Sequence, residues 1–420
     1  MRDLFLLTAD VAAAFVVAAT VTATPIAVRQ SAITLPFAKV VDTTGTTNII
    51  TSDQARFEAL KDYGSAIALN SINGLPPVNY PATNEFIQYL SWVNDDVGIG
   101  TPPHYYNLTV DTGSANTWAG ANPNRPFVIT SSTVDTGLEF GALYGSGGVT
   151  GEEYNDTVTL GPLSILNQGV AGAKLAAGFN GQDGILGLGP TSLTLYTILS
   201  DFEDEIPTVV DTAFVEGLIP AHELSVSFEP TDFAPITNGL LTFGGVDPTR
   251  FTGKITYAPC TTTGLTSYFW SLNESITYQG EAIMSSTSGV VDTGTATIYM
   301  PSDAYSRYQN ATGGTFDDST GLLAITEEQY ENLHDLVFHI GGREFTLTPN
   351  AQIWPRALNA AINGSADGIY LAVSSTGLPT GSDLDFIDGQ AFLERFYSVF
   401  DSTNNRVGFA TTPLTDAHIN

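Results

Sequence analysis

The sequence predicts an all-β protein of two lobes, and three observations carry that expectation. The chain has 420 residues, 43% of them hydrophobic, which is more than one core usually organises. It holds 41 glycines and 22 prolines but only 14% charged residues, a composition of many turns between short strands. Two nine-residue windows also align without gaps: Val110 to Trp118 (Val-Asp-Thr-Gly-Ser-Ala-Asn-Thr-Trp) and Val291 to Tyr299 (Val-Asp-Thr-Gly-Thr-Ala-Thr-Ile-Tyr). Such self-similarity points to a duplicated unit, with one copy in each lobe.

In chain order, residues 1–23 read as a signal peptide: Arg2, an apolar run from Val11 to Val21 preceded by Asp10, and a small-residue end at Thr22-Ala23. The run is too short for a membrane span, and the tail from Thr411 to Asn420 is polar. A secreted, extracellular protein that does not engage a membrane is expected. Residues 24–80 read as a propeptide with one short helix, Ser52 to Lys61, capped by Ser52 or Asp53 and stopped near Gly64. The stretch Ser71 to Pro77 has the composition of a cleavable linker. No dibasic pair lies between Thr24 and Tyr80, so self-cleavage at low pH is the simpler route to maturation. The N-terminal lobe is placed at 81–255 and the C-terminal lobe at 256–420.

Fourteen basic against 44 acidic residues give a formal charge of −30, which opposes any sequence-independent grip on phosphate backbones and argues against a nucleic-acid partner. Nearly all of that charge follows residue 80, so partial protonation would relieve self-repulsion and an acidic working range is expected. Cys260 is the single cysteine; it excludes an intramolecular disulfide and Cys-based zinc sites, and reads as a small buried hydrophobe. Five scattered histidines show no His-x-x-x-His spacing, and neither a Gly-x-Ser-x-Gly nor a P-loop turn is present. No metal and no cofactor is expected. Asn-x-Ser/Thr sequons stand at Asn107, Asn155, Asn273, Asn310 and Asn363. Asn310 and Asn363 lie in turn-like composition and are the best glycan candidates, followed by Asn273 and Asn155, whereas Asn107 lies on a strand approaching the chemistry.

Each repeated window follows an apolar, strand-like run and breaks at Thr-Gly, so Asp111 and Asp292 each sit where a strand turns. One Asp-Thr-Gly alone is most often an ordinary turn. Two copies in a two-lobed body bring equivalent turns together at the pseudo-twofold axis. Carboxyl groups within hydrogen-bond reach cannot both ionise easily; they share a proton and titrate as a unit. Such a pair can activate a water toward an amide carbonyl and protonate the leaving nitrogen, without metal or covalent intermediate. Glycosidases also use two acids, but across a sugar at wider separation and without duplicated turns.

Beyond both turns, Tyr144-Gly-Ser-Gly147 with Thr150-Gly151, Asp183 to Gly189 (Asp-Gly-Ile-Leu-Gly-Leu-Gly), Phe243 to Asp247, Phe396 to Asp401 and Arg406 to Phe409 together resemble the pepsin-like aspartic endopeptidases, and among them the basidiomycete fungal branch, from about Pro81 to Thr412. The resemblance implies a bilobal acid-protease fold with a cleft between the lobes. It implies that Asp111 and Asp292 are catalytic, that Ser114 and Thr295 orient their carboxylates, and that Thr112 and Thr293, with Gly113 and Gly294, form and brace the turns. Glu139 to Thr159 resembles the family's flap, with a turn at Gly145 to Gly148 and Tyr144, Gly145 and Ser146 facing substrate. Trp118 would donate to the Tyr144 phenol, and Ile185 would line the first pocket and favour large apolar side chains. Extended polypeptides are the implied substrates and pepstatin-type compounds the implied inhibitors of a monomer. A catalytically inactive, pepsin-like binding or inhibitor protein is the alternative. One departure stands out. Where the first lobe has Ile185-Leu186-Gly187, the second has Phe386-Ile387-Asp388-Gly389, which adds a third carboxyl near the pair.

Overall fold

In a computed structural model, residues 31–42, 48–73, 88–145, 147–179 and 181–420 are described. The leader at 1–23, the end of the linker, the boundary at residue 81 and Ser146 lie outside them. Strand β1 (Ile33–Asp42) and helix α1 (Ile49–Asn73) come first. They are followed by β2 (Gln88–Ile99), β3 (His104–Asp111), β4 (Thr117–Ala119), β5 (Val134–Tyr144), β6 (Gly147–Leu160), β7 (Leu163–Ala177), β8 (Gly184–Gly187), β9 (Glu223–Ser227) and β10 (Ile236–Phe243). The second half runs β11 (Thr252–Pro259), β12 (Ser271–Tyr278), β13 (Glu281–Val291), β14 (Ile298–Met300), helix α2 (Ser302–Thr312), β15 (Thr315–Asp317), β16 (Leu322–Ile325), β17 (Leu336–Ile340) and β18 (Arg343–Leu347). It ends with β19 (Ile369–Leu371), β20 (Val373–Ser375), β21 (Phe386–Asp388), β22 (Phe396–Asp401) and β23 (Arg406–Thr411).

The protein is built mostly of strands. A 13-stranded sheet runs in the order β11-β23-β22-β9-β10-β1-β2-β3-β8-β4-β7-β6-β5, so strands from both ends of the chain join it. A seven-stranded sheet, β18-β17-β12-β13-β21-β14-β20, carries the second lobe. The duplication is visible in the register. Strand β3 runs parallel to β8 with Val110 opposite Leu186, and β13 runs parallel to β21 with Val291 opposite Asp388. The next strand returns antiparallel in both lobes, Thr117 opposite Leu186 and Ile298 opposite Asp388. Leu186 and Asp388 therefore occupy equivalent places beneath the two Asp-Thr-Gly turns. Cys260 is buried, and burial pushes its thiol up to about 11, which fits a packed hydrophobe.

Three local expectations need correction. Helix α1 is far longer than Ser52 to Lys61: it starts at Ile49, is capped by Asn48, whose Oδ1 accepts the Thr51 amide at 2.9 Å, and continues through Gly64 to Asn73. Gly64 does not end it because it packs directly on Phe269, where an added Cβ would lie 3.1 Å from the ring; tertiary contact outweighs its poor helix propensity. The flap turn is tighter than Gly145 to Gly148, since Tyr144 already pairs with Gly147. Asn310 lies on helix α2 rather than in a turn.

Helix α1 buries its apolar face between the lobes. Phe57, Leu60 and Ile67 cluster with Ala115 and Leu193 on one side and with Leu265, Phe269, Tyr299 and Leu384 on the other. The Phe57 ring stacks on Tyr299 with centroids 5.7 Å apart, and the Tyr63 hydroxyl donates to the Leu193 and Leu195 carbonyls at 2.9 and 2.6 Å. Among the described residues no helix is long and apolar enough to cross a membrane.

Candidate active site

Asp111 ends β3 and Asp292 follows β13, so each carboxyl projects from the point where a buried strand breaks into Thr-Gly. The two turns clasp each other. The Thr112 amide donates to the Thr293 hydroxyl and the Thr293 amide to the Thr112 hydroxyl, both at 3.0 Å. Each hydroxyl then donates across the axis, Thr112 to the Val291 carbonyl at 3.1 Å and Thr293 to the Val110 carbonyl at 3.0 Å. Four reciprocal bonds, two between the fully buried threonines and two from them to valine carbonyls, fix the spacing of the carboxyls without using the carboxyls themselves.

Within each turn the carboxylate accepts two bonds. Asp111 receives the Ser114 hydroxyl at 2.6 Å and the Gly113 amide at 3.0 Å; Asp292 receives the Thr295 hydroxyl at 2.5 Å and the Gly294 amide at 2.9 Å. These donors lock the carboxyl planes and favour the charged form. The glycines are required by closeness: a Cβ on Gly113 would stand 2.6 Å from Asp292 Oδ1.

Arg56 of α1 closes the arrangement, and sequence reasoning had not singled it out. Its Nη2 donates to Asp111 Oδ1 at 2.5 Å and to Asp292 Oδ1 at 2.8 Å, while its Nε donates to Asp292 Oδ2 at 2.6 Å. Burial works against the guanidinium charge, but the two carboxylates hold it firmly protonated. Burial and the Asp292 charge drive the Asp111 carboxyl up despite Arg56. Burial also raises Asp292, but there Arg56, Thr295 and Gly294 together win and hold its carboxyl below the ordinary value. The available signal was a helical stripe: Arg56, Leu60, Tyr63 and Ile67 share one face, and an arginine in an otherwise apolar stripe needs a buried anion.

Other anchors of the leading segment also escaped sequence reading. Asp53, buried on α1, accepts the Ala296 amide, the Thr297 amide and the Thr297 hydroxyl at 2.9–3.0 Å. Burial pushes its carboxyl up to about 6 against those bonds. Lys39 of β1 pairs with Glu394 in a contact where both are buried.

The hairpin of β5 and β6 brings Tyr144 over this site. Trp118 Nε1 donates to the Tyr144 hydroxyl at 2.9 Å, and burial, reinforced by the Asp111 charge, raises the phenol well above its ordinary value. Gly145 abuts the backbone of Arg56, where any Cβ would collide. Arg56, Tyr63, Ser114, Tyr144, Leu193 and Thr197 line a small cavity beside the carboxyls. Ile185 is not in that lining; it lies behind it, buried with Trp118, Phe140 and Phe179. Trp118→Phe is expected to lower kcat/KM about fivefold, the worth of one neutral hydrogen bond at ~1 kcal/mol, as initial rates on a peptide substrate would show. Of the sequons, Asn273, Asn310 and Asn363 are exposed, while Asn155 and Asn107 are partly buried on strands.

Comparison with known proteins gives a consistent picture. The family model described as eukaryotic aspartyl protease matches residues 93–412. Polyporopepsin of Irpex lacteus is 50% identical over 341 residues, covering 81% of this chain and 98% of that protein. Human gastricsin is 32% identical, over 75% of this chain and 80% of its own, and pig pepsin A 30%, over 84% and 87%. The crystal structure of an aspartic proteinase from Irpex lacteus aligns with a TM-score of 0.76 at 51% identity, covering 79% of this chain and 96% of that one.

Proposed function

Because this chain belongs to the eukaryotic aspartyl protease family and is an aspartic endopeptidase, we propose that it is a secreted precursor whose dyad, Asp111 and Asp292, hydrolyses peptide bonds at acidic pH once the leading segment departs. The observation that carries the reading is the pair of mutually clasped Asp-Thr-Gly turns, each carboxyl held by a hydroxyl three residues on. With Arg56 gone, burial and mutual repulsion leave the two carboxyls one proton to share. The ionised member takes a proton from a water bound between them as that water attacks the scissile carbonyl. The protonated member supplies the carbonyl oxygen, and a proton then passes to the leaving amine. Ser114 and Thr295 keep the carboxyls in plane, and Thr112 and Thr293 keep them at fixed separation.

The segment 24–80 acts as the propeptide in this reading. Arg56 occupies the place of the attacking water and neutralises the dyad, while Phe57, Leu60 and Ile67 fill the cleft that an extended substrate would enter. Substrate lies under the β5–β6 hairpin, with Tyr144 and Gly145 over it. The apolar cluster of Trp118, Phe179 and Ile185 behind the cavity supports a preference for large apolar side chains beside the scissile bond. Exposed Asn273, Asn310 and Asn363 are the glycan positions the structure favours. A binding protein without activity finds no support in a site that keeps both carboxyls and all their donors.

The test is cleavage of denatured haemoglobin from pH 2 to 8 by the secreted chain after acid treatment, with and without pepstatin. Acid-optimal, pepstatin-sensitive cleavage is the expected result. Absence of cleavage after confirmed loss of residues 24–80 would overturn the proposal.

A further inference from the structure

Glu274 and Asp388 are two carboxyl side chains in the core of the second lobe, 1% and 0% exposed. Asp388 ends β21, opposite Val291 and Ile298; Glu274 lies on β12, opposite Thr287 and Ile340. Among the described residues, none of their four oxygens receives a hydrogen bond from a donor group, and each carboxyl lies within hydrogen-bonding reach of the other. Four acceptors and no donor cannot be held together in an apolar core unless the pair keeps a proton. The first lobe does without this device: at the same register it has Leu186 under the turn and Val97 opposite Tyr106, both fully buried.

The pair is joined to the catalytic turn through the backbone. The Asp292 amide donates to the Asp388 carbonyl at 3.1 Å, the Gln390 amide to the Thr295 carbonyl at 2.8 Å, and Gln390 Nε2 to the Thr293 carbonyl at 2.9 Å. The segment 388–390 thus holds the turn that carries Asp292, and the shared proton holds that segment to β12. Several other titratable groups on or beside the neighbouring elements are engaged elsewhere. Asp385 binds the Thr287 hydroxyl and the Gly381 and Ser382 amides. His339 of β17 bonds the Thr277 hydroxyl and approaches Glu344 of β18. Asp292 itself faces Arg56.

We propose that Glu274 and Asp388 are a proton-sharing positioning pair that pins the Asp292 turn, and that loss of their shared proton sets the alkaline limit of the enzyme. The inference rests on the reading of Asp292 as catalytic. Burial pushes Asp388 up to about 8, and burial with the Asp388 charge raises Glu274 well above its ordinary value. Both shifts are upward. For Asp388 the contribution to stability is therefore complete below the ordinary carboxyl value of about 4, declines as pH rises, and is gone above about 8; Glu274 acts in the same direction.

The test compares the full chain with Glu274→Gln/Asp388→Asn, whose amides bond each other but cannot ionise, and with Glu274→Val/Asp388→Leu, which installs the first lobe's apolar pairing and serves if the amide variant does not fold. Melting temperature is followed from pH 4 to 9, and kcat and KM of acid-activated protein over the same range, each relative to its own value at pH 4. The expected result is that the alkaline midpoint of melting and the upper limb of kcat both move up by about one pH unit or more, with KM following the wild-type profile. Melting profiles and kcat limbs that superimpose on wild type would overturn the pair's role. Failure of the dyad reading looks different: no peptide cleavage by any of the chains, with the melting comparison still intact.

Discussion

Asp292→Asn is expected to abolish peptide hydrolysis, lowering kcat/KM by roughly ten-thousandfold or more, because one residue serves both as half of the base and as half of the acid. The amide is nearly isosteric: its oxygen can still accept the Gly294 amide, and its NH2, standing where Oδ2 was, donates to the Thr295 hydroxyl, so the turn stays tied at both points with one bond reversed. The fold should persist, and a melting temperature within a few degrees of wild type would separate lost chemistry from lost structure. Residual activity within tenfold of wild type would remove Asp292 from the reaction. The same variant decides how the precursor matures. If the secreted protein stays at precursor mass, wild type trims itself; if it is fully trimmed, another protease does the cutting.

Arg56→Ala should unlatch the precursor. Removing one partner of a buried charge cluster costs about 3–5 kcal/mol, here in docking of α1, because Asp111 and Asp292 are left facing each other under an apolar helix. The pH at which conversion occurs follows from the signs of the shifts. Asp292 is held below its ordinary value, so its contribution to docking is present above about pH 4 and lost as pH falls further. Asp53 is raised to about 6; its docked form takes up a proton more readily, so acid does not release it and it opposes opening. Wild type is therefore expected to stay latent above about pH 4, whereas Arg56→Ala converts at a higher pH than wild type. Arg56→Lys, whose single ammonium cannot span both carboxyls in a fork, should fall between. Gel mass and peptide cleavage after incubation at stepped pH measure this directly; identical conversion profiles would rule the latch out.

What the sequence makes legible is what repeats or what punctuates. The two Asp-Thr-Gly windows can be aligned by eye because each carboxyl, hydroxyl and glycine stands at a fixed local offset, and local offsets survive into the fold unchanged. The flap announces itself by glycines between two alternating strands. Arg56 is different: its meaning depends on two anions it meets only after both lobes close around α1, and on its own helix it is one charge among several. The length of α1 was hidden for a related reason, since Gly64 stops an isolated helix but not one pressed against Phe269. Asp388 stood out because it breaks an aliphatic pattern, yet Glu274, its partner from a distant strand, looks like an ordinary acid on a strand until the register places it. Asn310 shows the converse error, in which glycines just beyond a helix end lend their turn-like character to the last helical residues.

Strand β1 adds a consequence for the life history of the molecule. It is not an edge: it lies between β10 and β2, laddered to both, with Leu35, Phe37 and Ala38 buried in the core. If residues 24–80 are excised as proposed, an interior stave is taken out, and the two bared rows of amides and carbonyls must find a substitute strand or be wetted. The chain that remains no longer encodes the template on which its sheet was assembled. On the proposed processing, maturation would act as a ratchet: the trimmed enzyme would persist by the height of its unfolding barrier, and a copy that once came apart would lack its instructions for return.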